Sequence, residues 1–177
     1  TTFLKNIIQQ THKKAVIVAP TGIAAINAGG VTIHSMFQLP FGNFIPTNQN
    51  LSVLNQQLKI TTPALLIRNM QMNGTKRKLL RELELLIIDE VSMLRADLLD
   101  AIDATLRYVR RQNNKAFGGV QVLFIGDLLQ LPPVVKYEIA QKKESYANQE
   151  SLWGEEIVMD EEEVKAPPRF AFSSPAW

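Results

Sequence analysis

The sequence predicts an α/β fold in which a parallel β-sheet is flanked by helices. Three short apolar runs, at residues 15–19, 85–89 and 118–127, have the length and the branched side chains of buried strands. Segments with helical periodicity separate these runs, and strands that alternate with helices are joined by right-handed crossovers in a parallel sheet. The 177 residues, 46% of them hydrophobic, suffice for the core of one such domain or of part of a larger one.

The beginning of the chain predicts a helix, a strand and a second helix. Apolar side chains recur at helical spacing across residues 2–10, which predicts the first helix. The run AVIVA, closed by Pro20, is typical of a buried parallel strand. The residues TGIAAINAGG then predict a brief helix that ends at Gly29 and Gly30. Residues 38–75 are rich in Asn, Gln and Pro, with one helix predicted around 52–58.

The second half predicts a strand, a long helix and another strand. LLIID, at 85–89, is the second buried strand, and residues 95–112 give the clearest helical pattern. One face of that helix carries Leu98, Leu99, Ile102, Leu106 and Val109, and the other carries Asp97, Asp100, Asp103, Arg107 and Arg110. The run GGVQVLFIGD, at 118–127, is the third strand. Beyond residue 136 the pattern gives way to a glutamate-rich and then proline-rich tail.

Composition excludes several kinds of site. The chain has no cysteine, so it has no disulfide, thiolate metal site or cysteine nucleophile, and its two histidines are too few for a histidine-based zinc site. No apolar run reaches the ~20 residues of a membrane helix and no signal peptide is visible, so we expect an intracellular protein without a membrane partner.

Charge is distributed unevenly. Residues 1–137 carry 15 Lys and Arg against 8 Asp and Glu, whereas residues 138–177 carry 4 against 9. The first part would attract a polyanion and the tail would repel one, although surface charge often serves only solvation.

Polar residues follow all three predicted strands. Asp89 and Glu90 come at the end of the second strand, Gly126 and Asp127 at the end of the third, and residues 20–22 after the first. Ligands of open parallel sheets bind at this carboxyl edge. An acid in this position can hold Mg²⁺ and the next can activate water against a nucleotide γ-phosphate, although such acids can also merely cap the following helix.

A glutamine follows the third strand. Gln130 lies four residues after Gly126, and its neutral amide could hydrogen-bond a γ-phosphate without adding charge. An ordinary loop glutamine is the alternative.

Three segments carry a family resemblance. APTGIAAINAGGVTIHSMF, LLIIDEVSM and FGGVQVLFIGDLLQLPPV resemble motifs Ia/Ib, II and III of PIF-type DNA helicases, which belong to the 5′-to-3′ branch of superfamily one alongside RecD-type proteins. QLPFGNFIP resembles bacterial members. The resemblance covers residues 1–136 and implies a RecA-like P-loop NTPase domain. It also implies ATP and Mg²⁺ as cofactors, single-stranded DNA and DNA junctions as partners, and roles in replication, repair, recombination and telomere maintenance.

The resemblance assigns nucleotide-site roles to four residues. Asp89 would be the acid linked to Mg²⁺, and Glu90 the general base for the attacking water. Gln130 would sense the γ-phosphate, and Thr1 would be the threonine that ligates Mg²⁺.

It assigns DNA contacts to five further residues. Thr21 and Gly22 would contact the backbone of a single strand through hydroxyl and amide groups. His34 and Ser35 would touch the strand too, and Phe37 would stack on a base. Outside the family context, His34 would be a packing histidine and Phe37 a core residue.

One family motif is missing from these 177 residues. They contain no G-x-x-x-x-G-K-[ST] loop, whose amides and lysine cradle phosphates. The resemblance implies that Thr1 follows such a loop. We therefore expect a helicase piece that lacks the first strand, the phosphate loop and the second RecA-like domain, and that hydrolyses no ATP by itself.

Two other functions stay open at this point. One is an ATP-independent module that binds single-stranded DNA. The other is a different ATP-driven machine, either a RecD-type exonuclease-associated ATPase or a clamp-loader-like ATPase; Gln130 within GDLLQLPP favours the helicase over the latter. The tail, residues 137–177, is an acidic and proline-containing segment without a motif, either a linker or the start of another domain.

Overall fold

The computed structural model describes residues 2–45, 60–133 and 170–177. Its α-helices are α1 (Thr2–Gln10), α2 (Gly22–Ala28), α3 (Ile33–Phe37), α4 (Pro63–Arg68), α5 (Gly74–Glu82) and α6 (Ala96–Arg110). Its strands are β1 (Ala15–Ala19), β2 (Val31–Thr32), β3 (Asn43–Phe44), β4 (Ile60–Thr61), β5 (Leu85–Ile88) and β6 (Gln121–Phe124). Short 3₁₀ helices span Val91–Met93, Ala116–Gly119 and Ala171–Ser173.

Four parallel strands form the main sheet, in the order β2-β1-β5-β6. Val18 of β1 pairs with Val31 on one side and with Ile88 on the other, and Ile88 pairs with Phe124. The parallel α/β architecture predicted from the sequence is confirmed. The two-residue strand β2 and the small parallel pair β3–β4 were not predicted.

Alternation of side chains along the strands separates two apolar layers. Leu85 and Ile87 face the layer that contains Leu4 of α1 and Ala28 of α2. Leu86 and Ile88 face the larger layer, which contains Phe37 of α3, Leu80 of α5 and Leu99 of α6. β5 is buried along its whole length because helices cover it on both sides, as in other parallel sheets.

The predicted third strand is shorter than the sequence suggested. Residues 118–127 were expected to be extended, but only Gln121–Phe124 form the strand. Phe117 and Gly118 both have left-handed backbone angles, which turn the chain in a 3₁₀ helix before β6 begins. At the other end, Gly126 has φ of +156°, which ends the extended run.

The long helix α6 holds one departure from the predicted pattern. Asp100, expected on the polar face, is buried and only 8% exposed. Its carboxylate accepts a hydrogen bond from the hydroxyl of Ser174, a residue 74 positions further along the chain. Burial raises the pKa of Asp100 above its ordinary value of 3.8, against hydrogen bonds from Ser174 and the amide of Ala176 that lower it.

The last eight residues pack against the domain. Phe170 forms an antiparallel bridge with Arg95, and the ring of Trp177 stacks on that of Phe124 with centroids 4.3 Å apart. The boundary between residues 136 and 137 stays a prediction, and the predicted helix around 52–58 lies outside the described residues. None of the helices in the described part of the chain is both long and apolar enough to cross a bilayer.

Candidate active site

The carboxyl ends of the four strands meet along one edge of the sheet. Backbone hydrogen bonds fix this edge: the amide of Asp89 donates to the carbonyl of Val18 (2.9 Å), and the amide of Ile125 donates to that of Ile88 (2.9 Å). The segments that follow β2, β1, β5 and β6 therefore lie side by side in that order. The sites predicted after three separate strands thus share one edge.

Asp89 and Glu90 leave the core together at the end of β5. Both are partly exposed, although the four residues before them are buried. None of the side-chain hydrogen bonds or ion pairs formed among the described residues involves either carboxylate. Among the described residues nothing occupies their carboxylate oxygens. The oxygens of an acid that serves only as a structural ion-pair partner would be occupied by a cation.

The backbone of Glu90 is strained. Its φ of 56° and ψ of 49° lie in the left-handed region, which costs a non-glycine residue ~1–2 kcal/mol. Two hydrogen bonds hold this conformation, from the amide of Val91 to the carbonyl of Ile125 (3.0 Å) and from the amide of Met93 to the carbonyl of Glu90 (3.1 Å). The strain sets the direction in which the chain leaves β5 after the acidic pair.

The segment after β6 lies directly against Glu90 and Val91. A Cβ on Gly126 would come within 2.7 Å of the Val91 nitrogen, so only glycine fits here. Asp127 then organises the next turn: its carboxylate accepts from the amide of Leu129 (2.9 Å) and its carbonyl accepts from the amide of Gln130 (3.0 Å). Gln130 is exposed at this edge, in a turn joined to the acidic pair.

Metal-binding capacity at this edge is limited. Within the described ranges no group of three or more His, Cys, Asp or Glu side chains is placed to hold a metal ion, so an ion bound beside Asp89 would take most of its ligands from water or phosphate. Thr1, the other predicted Mg²⁺ ligand, lies outside the described residues. Asp89 and Glu90 do not line the cavities of about 370 and 310 Å³ on the side of the domain where α5 packs.

The predicted DNA contacts after β1 lie at the start of α2. The hydroxyl of Thr21 accepts a hydrogen bond from the amide of Ala24 (3.2 Å) and so caps the helix. Gly22 is exposed, and a Cβ there would meet nothing within 4 Å. The amide of Gly22 lies in the first turn of the helix. Amides in this turn have no helical carbonyl four residues earlier to which they can donate.

The predicted contacts after β2 lie on α3. Thr32 caps this helix by accepting from the amide of Ser35 (3.2 Å), and the carbonyl of Ser35 accepts from the ammonium of Lys76 (2.7 Å). Ser35 is exposed, and the ammonium of Lys76 lies beside it. The sequence did not reveal this cation, because Lys76 is 41 residues away.

His34 is half-buried beside an exposed ring. Its imidazole stacks on Phe41 with centroids 5.0 Å apart and an interplanar angle of 22°. Burial lowers the pKa of His34 below its ordinary value of 6.5; the charge of Arg95 lowers it further, and that of Asp97 opposes both. The imidazole is therefore held towards its neutral form.

The predicted stacking role of Phe37 needs correction. Phe37 is 0% exposed and sits in the larger apolar layer, so its ring has no free face for a base. Phe41, four residues later, is 84% exposed and is the aromatic residue that this surface presents. Helical periodicity could have placed Phe37 in the core with Ile33, whereas Phe41 follows Pro40 outside any helix.

Comparison with known proteins identifies DNA helicases among the relatives of this chain. A family model described as PIF1-like helicase matches residues 1–165. The ATP-dependent DNA helicase PIF1 of Candida albicans is 33% identical over 160 residues, which cover 87% of this chain and 16% of that protein. The chain thus spans about a sixth of that curated relative.

Solved structures agree with this match. The crystal structure of Bacteroides Pif1 bound to single-stranded DNA aligns with a TM-score of 0.62 and 47% identity, over 76% of this chain and 27% of that one. The structure of Bacteroides sp. Pif1 in complex with ADP-AlF4 aligns with a TM-score of 0.61 and 48% identity, over the same shares.

Proposed function

Because the chain belongs to the PIF1-like helicase family, we propose that it forms part of the first motor domain of an ATP-dependent 5′-to-3′ DNA helicase. Its RecA-like fold is a parallel sheet flanked by helices, and a nucleotide site and a DNA site would share the carboxyl edge of that sheet. The whole protein would couple ATP hydrolysis to movement along single-stranded DNA and to separation of a duplex.

The carboxylates of Asp89 and Glu90, which have no hydrogen-bond or ion-pair partner among the described residues, are the observation that carries this proposal. Glu90 would accept the proton of the water that attacks the γ-phosphate, and Asp89 would hold Mg²⁺, usually through water. Bound Mg²⁺ would neutralise charge on the phosphate oxygens during transfer. A single carboxylate fits this ion, because Mg²⁺ keeps several waters and takes phosphate oxygens as further ligands.

Gln130 would report the state of the nucleotide. Its amide can hydrogen-bond a γ-phosphate and loses that partner after hydrolysis. The turn that carries Gln130 begins at Gly126, which contacts the backbone of Glu90 and Val91. A change at the γ-phosphate would therefore act on both segments at once.

The DNA strand would lie over the ends of β1 and β2. Gly22 offers a backbone amide, Thr21 and Ser35 offer hydroxyls, and Lys76 adds a positive charge, which together suit a phosphate backbone. Phe41, stacked on His34, offers a face for a base. Since β1 and β5 are neighbours, this surface adjoins the nucleotide site.

The 177 residues alone would have a narrower activity. They contain no phosphate-loop motif, and losing even one well-placed electrostatic donor can cost a rate factor of about 10²–10³. A polypeptide of this sequence would bind single-stranded DNA weakly without ATP and would not hydrolyse ATP. The complete activity would require the loop and a second RecA-like domain that supplies further groups to the ATP.

The wider setting follows from the substrate. A helicase of this kind would act on single strands and junctions inside the cell, where DNA is replicated, repaired or recombined and where telomeres are maintained. A RecD-type ATPase associated with an exonuclease is the remaining alternative, and it requires a partner nuclease.

Strand separation on tailed duplexes tests the proposed function. The helicase that carries this chain should unwind a duplex with a 5′ single-stranded tail in the presence of Mg²⁺ and ATP, and should leave a duplex with a 3′ tail intact. Glu90→Gln should abolish unwinding while single-stranded DNA is still bound. Unwinding from the 3′ tail only, or ATP-independent unwinding, would refute the proposal.

A further inference from the structure

A basic groove lies where α5 packs against the end of α6, and the proposed function does not use it. It encloses about 370 Å³ and is lined by Arg77 and Arg81 of α5, Tyr108 and Val109 of α6, and Arg111 and Asn113 of the loop that follows. We refer to it as the arginine groove. It lies away from the acidic pair, since α6 begins after Arg95, near the carboxyl edge, and ends at Arg110, whose guanidinium donates to the carbonyl of Leu83 beside the opposite edge.

Among the described residues, the arginine groove has no compensating acid. Its lining contains three guanidinium groups and no carboxylate. The ion pairs found in the described ranges are formed by other cations, namely Lys14, Lys78, Arg95 and Arg107. Like charges confined to one concave surface raise the local positive potential, which attracts an anion.

Hydrogen-bonding capacity in the arginine groove is only partly used. The Nε of Arg81 donates to the carbonyl of Val109 (3.1 Å), which fixes its stem against α6. The Nε of Arg77 is buried and has no acceptor within the described structure. A buried donor without a partner is energetically unfavourable, so an acceptor oxygen placed against it would be stabilised.

A neighbouring arginine shows the contrast. The guanidinium of Arg110 donates hydrogen bonds to the carbonyls of Leu80, Arg81, Leu83 and Gly118. These bonds tie α6 to α5 and to the 3₁₀ helix that contains Gly118. Arg110 is a structural clamp, whereas the arginines of the groove keep donors available. The planar fork of an arginine binds the oxygens of a phosphate in pairs.

The location connects the arginine groove to the DNA surface. Lys76, which donates to the carbonyl of Ser35, directly precedes Arg77 on α5. Arg81 lies one helical turn further, roughly 6 Å along the axis. Positive charge therefore continues from the single-strand surface along α5 into the groove, in a spacing suited to successive phosphates of one polyanion.

On the premise of the proposed function, in which DNA is the substrate, we propose that the arginine groove binds phosphate groups of a second DNA segment. This segment lies off the path of the single strand over β1 and β2. The arginines take its phosphate oxygens, and Asn113 and the hydroxyl of Tyr108 supply neutral hydrogen bonds. A forked DNA presents both segments at once, whereas a short single strand presents only one.

Paired variants test this groove. Asn113→Asp adds an acid inside the groove while keeping every arginine, and Asn114→Asp makes the same change one residue outside its lining. Arg77→Gln with Arg111→Gln removes two groove charges, and Lys78→Gln with Lys115→Gln removes two charges elsewhere. Affinities of the helicase that carries this chain for forked DNA and for a short single strand are measured at several salt concentrations.

Both groove variants should lose about tenfold in affinity for forked DNA, and the double variant should lower the salt slope by about 1.8, since each lost phosphate contact removes about 0.9. Binding of the short single strand by the groove variants should change less than about twofold. Binding of either DNA by the control variants should also change less than about twofold. If the double arginine variant unfolds, Asn113→Asp decides, because Asn113 is exposed. Unchanged binding of forked DNA by Asn113→Asp would overturn the proposal.

The source of the phosphate is tested separately. The NMR signal of the Arg77 Nε–H should move on addition of forked DNA and not with equimolar inorganic phosphate. An equal response to inorganic phosphate or to a polyglutamate peptide would overturn the proposal in favour of a general anion site. Failure of the proposed function looks different, because the unmodified protein would then bind neither the short single strand nor forked DNA.

Discussion

The amide of Val91 donates a 3.0 Å hydrogen bond to the carbonyl of Ile125 and so joins the end of β5 to the end of β6. This bond places the acidic pair Asp89–Glu90 beside the turn that carries Gln130. Together with the bond from the amide of Ile125 to the carbonyl of Ile88, it holds side by side residues that separate motifs predict to act on one nucleotide.

Gly126 makes that connection sterically possible. Gly126→Ala should destabilise the protein by about 1–3 kcal/mol, because the alanine would need φ of +156° and its Cβ would meet the Val91 nitrogen at 2.7 Å. Denaturant unfolding measures the change, and ATP hydrolysis by the helicase should fall as well. Gly74→Ala is the matched control, since a Cβ there meets nothing within 4 Å. Equal stability of both variants would contradict this role of Gly126.

Two phenylalanines near α3 should respond in opposite ways. Phe37→Ala should cost ~3–5 kcal/mol of stability, since it empties a fully buried site. Phe41→Ala should leave stability within ~0.5 kcal/mol but weaken single-stranded DNA binding by about 1–3 kcal/mol, the usual worth of one base–aromatic stack. Unfolding curves and DNA titrations separate the two effects. Tight DNA binding by Phe41→Ala would show that its ring does not stack on the strand.

The contact between Ser174 and Asp100 should contribute to folding. Ser174→Ala removes the hydroxyl donor to a buried carboxylate and should cost about 1–3 kcal/mol. Ser173→Ala, at the exposed neighbouring position, should change stability by less than ~0.5 kcal/mol. Thermal or denaturant unfolding checks both. Equal stability of the two variants would show that the hydrogen bond from Ser174 to Asp100 does not stabilise the fold.

His34 should make stability depend on pH. Its folded pKa is lowered below 6.5, so between the folded and the unfolded pKa the unfolded chain binds more protons. Stability should therefore rise with pH through this window and fall as the pH drops below about 6.5. His34→Gln should flatten that part of the profile, measured by unfolding at fixed temperature. If His34→Gln kept the wild-type dependence of stability on pH, another titratable group would be responsible for it.

Much of the fold could be predicted because β1, β5 and α6 follow simple hydrophobic patterns. The strands at 15–19 and 85–89 and the helix near 95–112 lie within a residue or two of their predicted bounds. The missed strand β2 has two residues, too few for any period to show. The third strand was predicted too long because the left-handed turn at Phe117 and Gly118 has no apolar signature.

Long-range partners explain the remaining differences. Asp100 fits the polar face of α6 by spacing, and its burial depends on Ser174, which no local pattern connects to it. Lys76 joins the proposed DNA surface only because α5 packs beside α3. The assigned roles of Asp89, Glu90, Gln130, Thr21, Gly22, His34 and Ser35 stay predictions that the geometry supports.

ATP hydrolysis by the helicase that carries Glu90→Gln tests whether the acidic pair acts on the nucleotide, with Glu84→Gln at the other end of β5 as control. Glu90→Gln should lose a factor of about 10²–10⁴ in single-turnover hydrolysis and retain its affinities for ATP and single-stranded DNA, whereas Glu84→Gln should hydrolyse ATP normally. Hydrolysis at the wild-type rate by Glu90→Gln would contradict the assignment of the acidic pair to nucleotide chemistry.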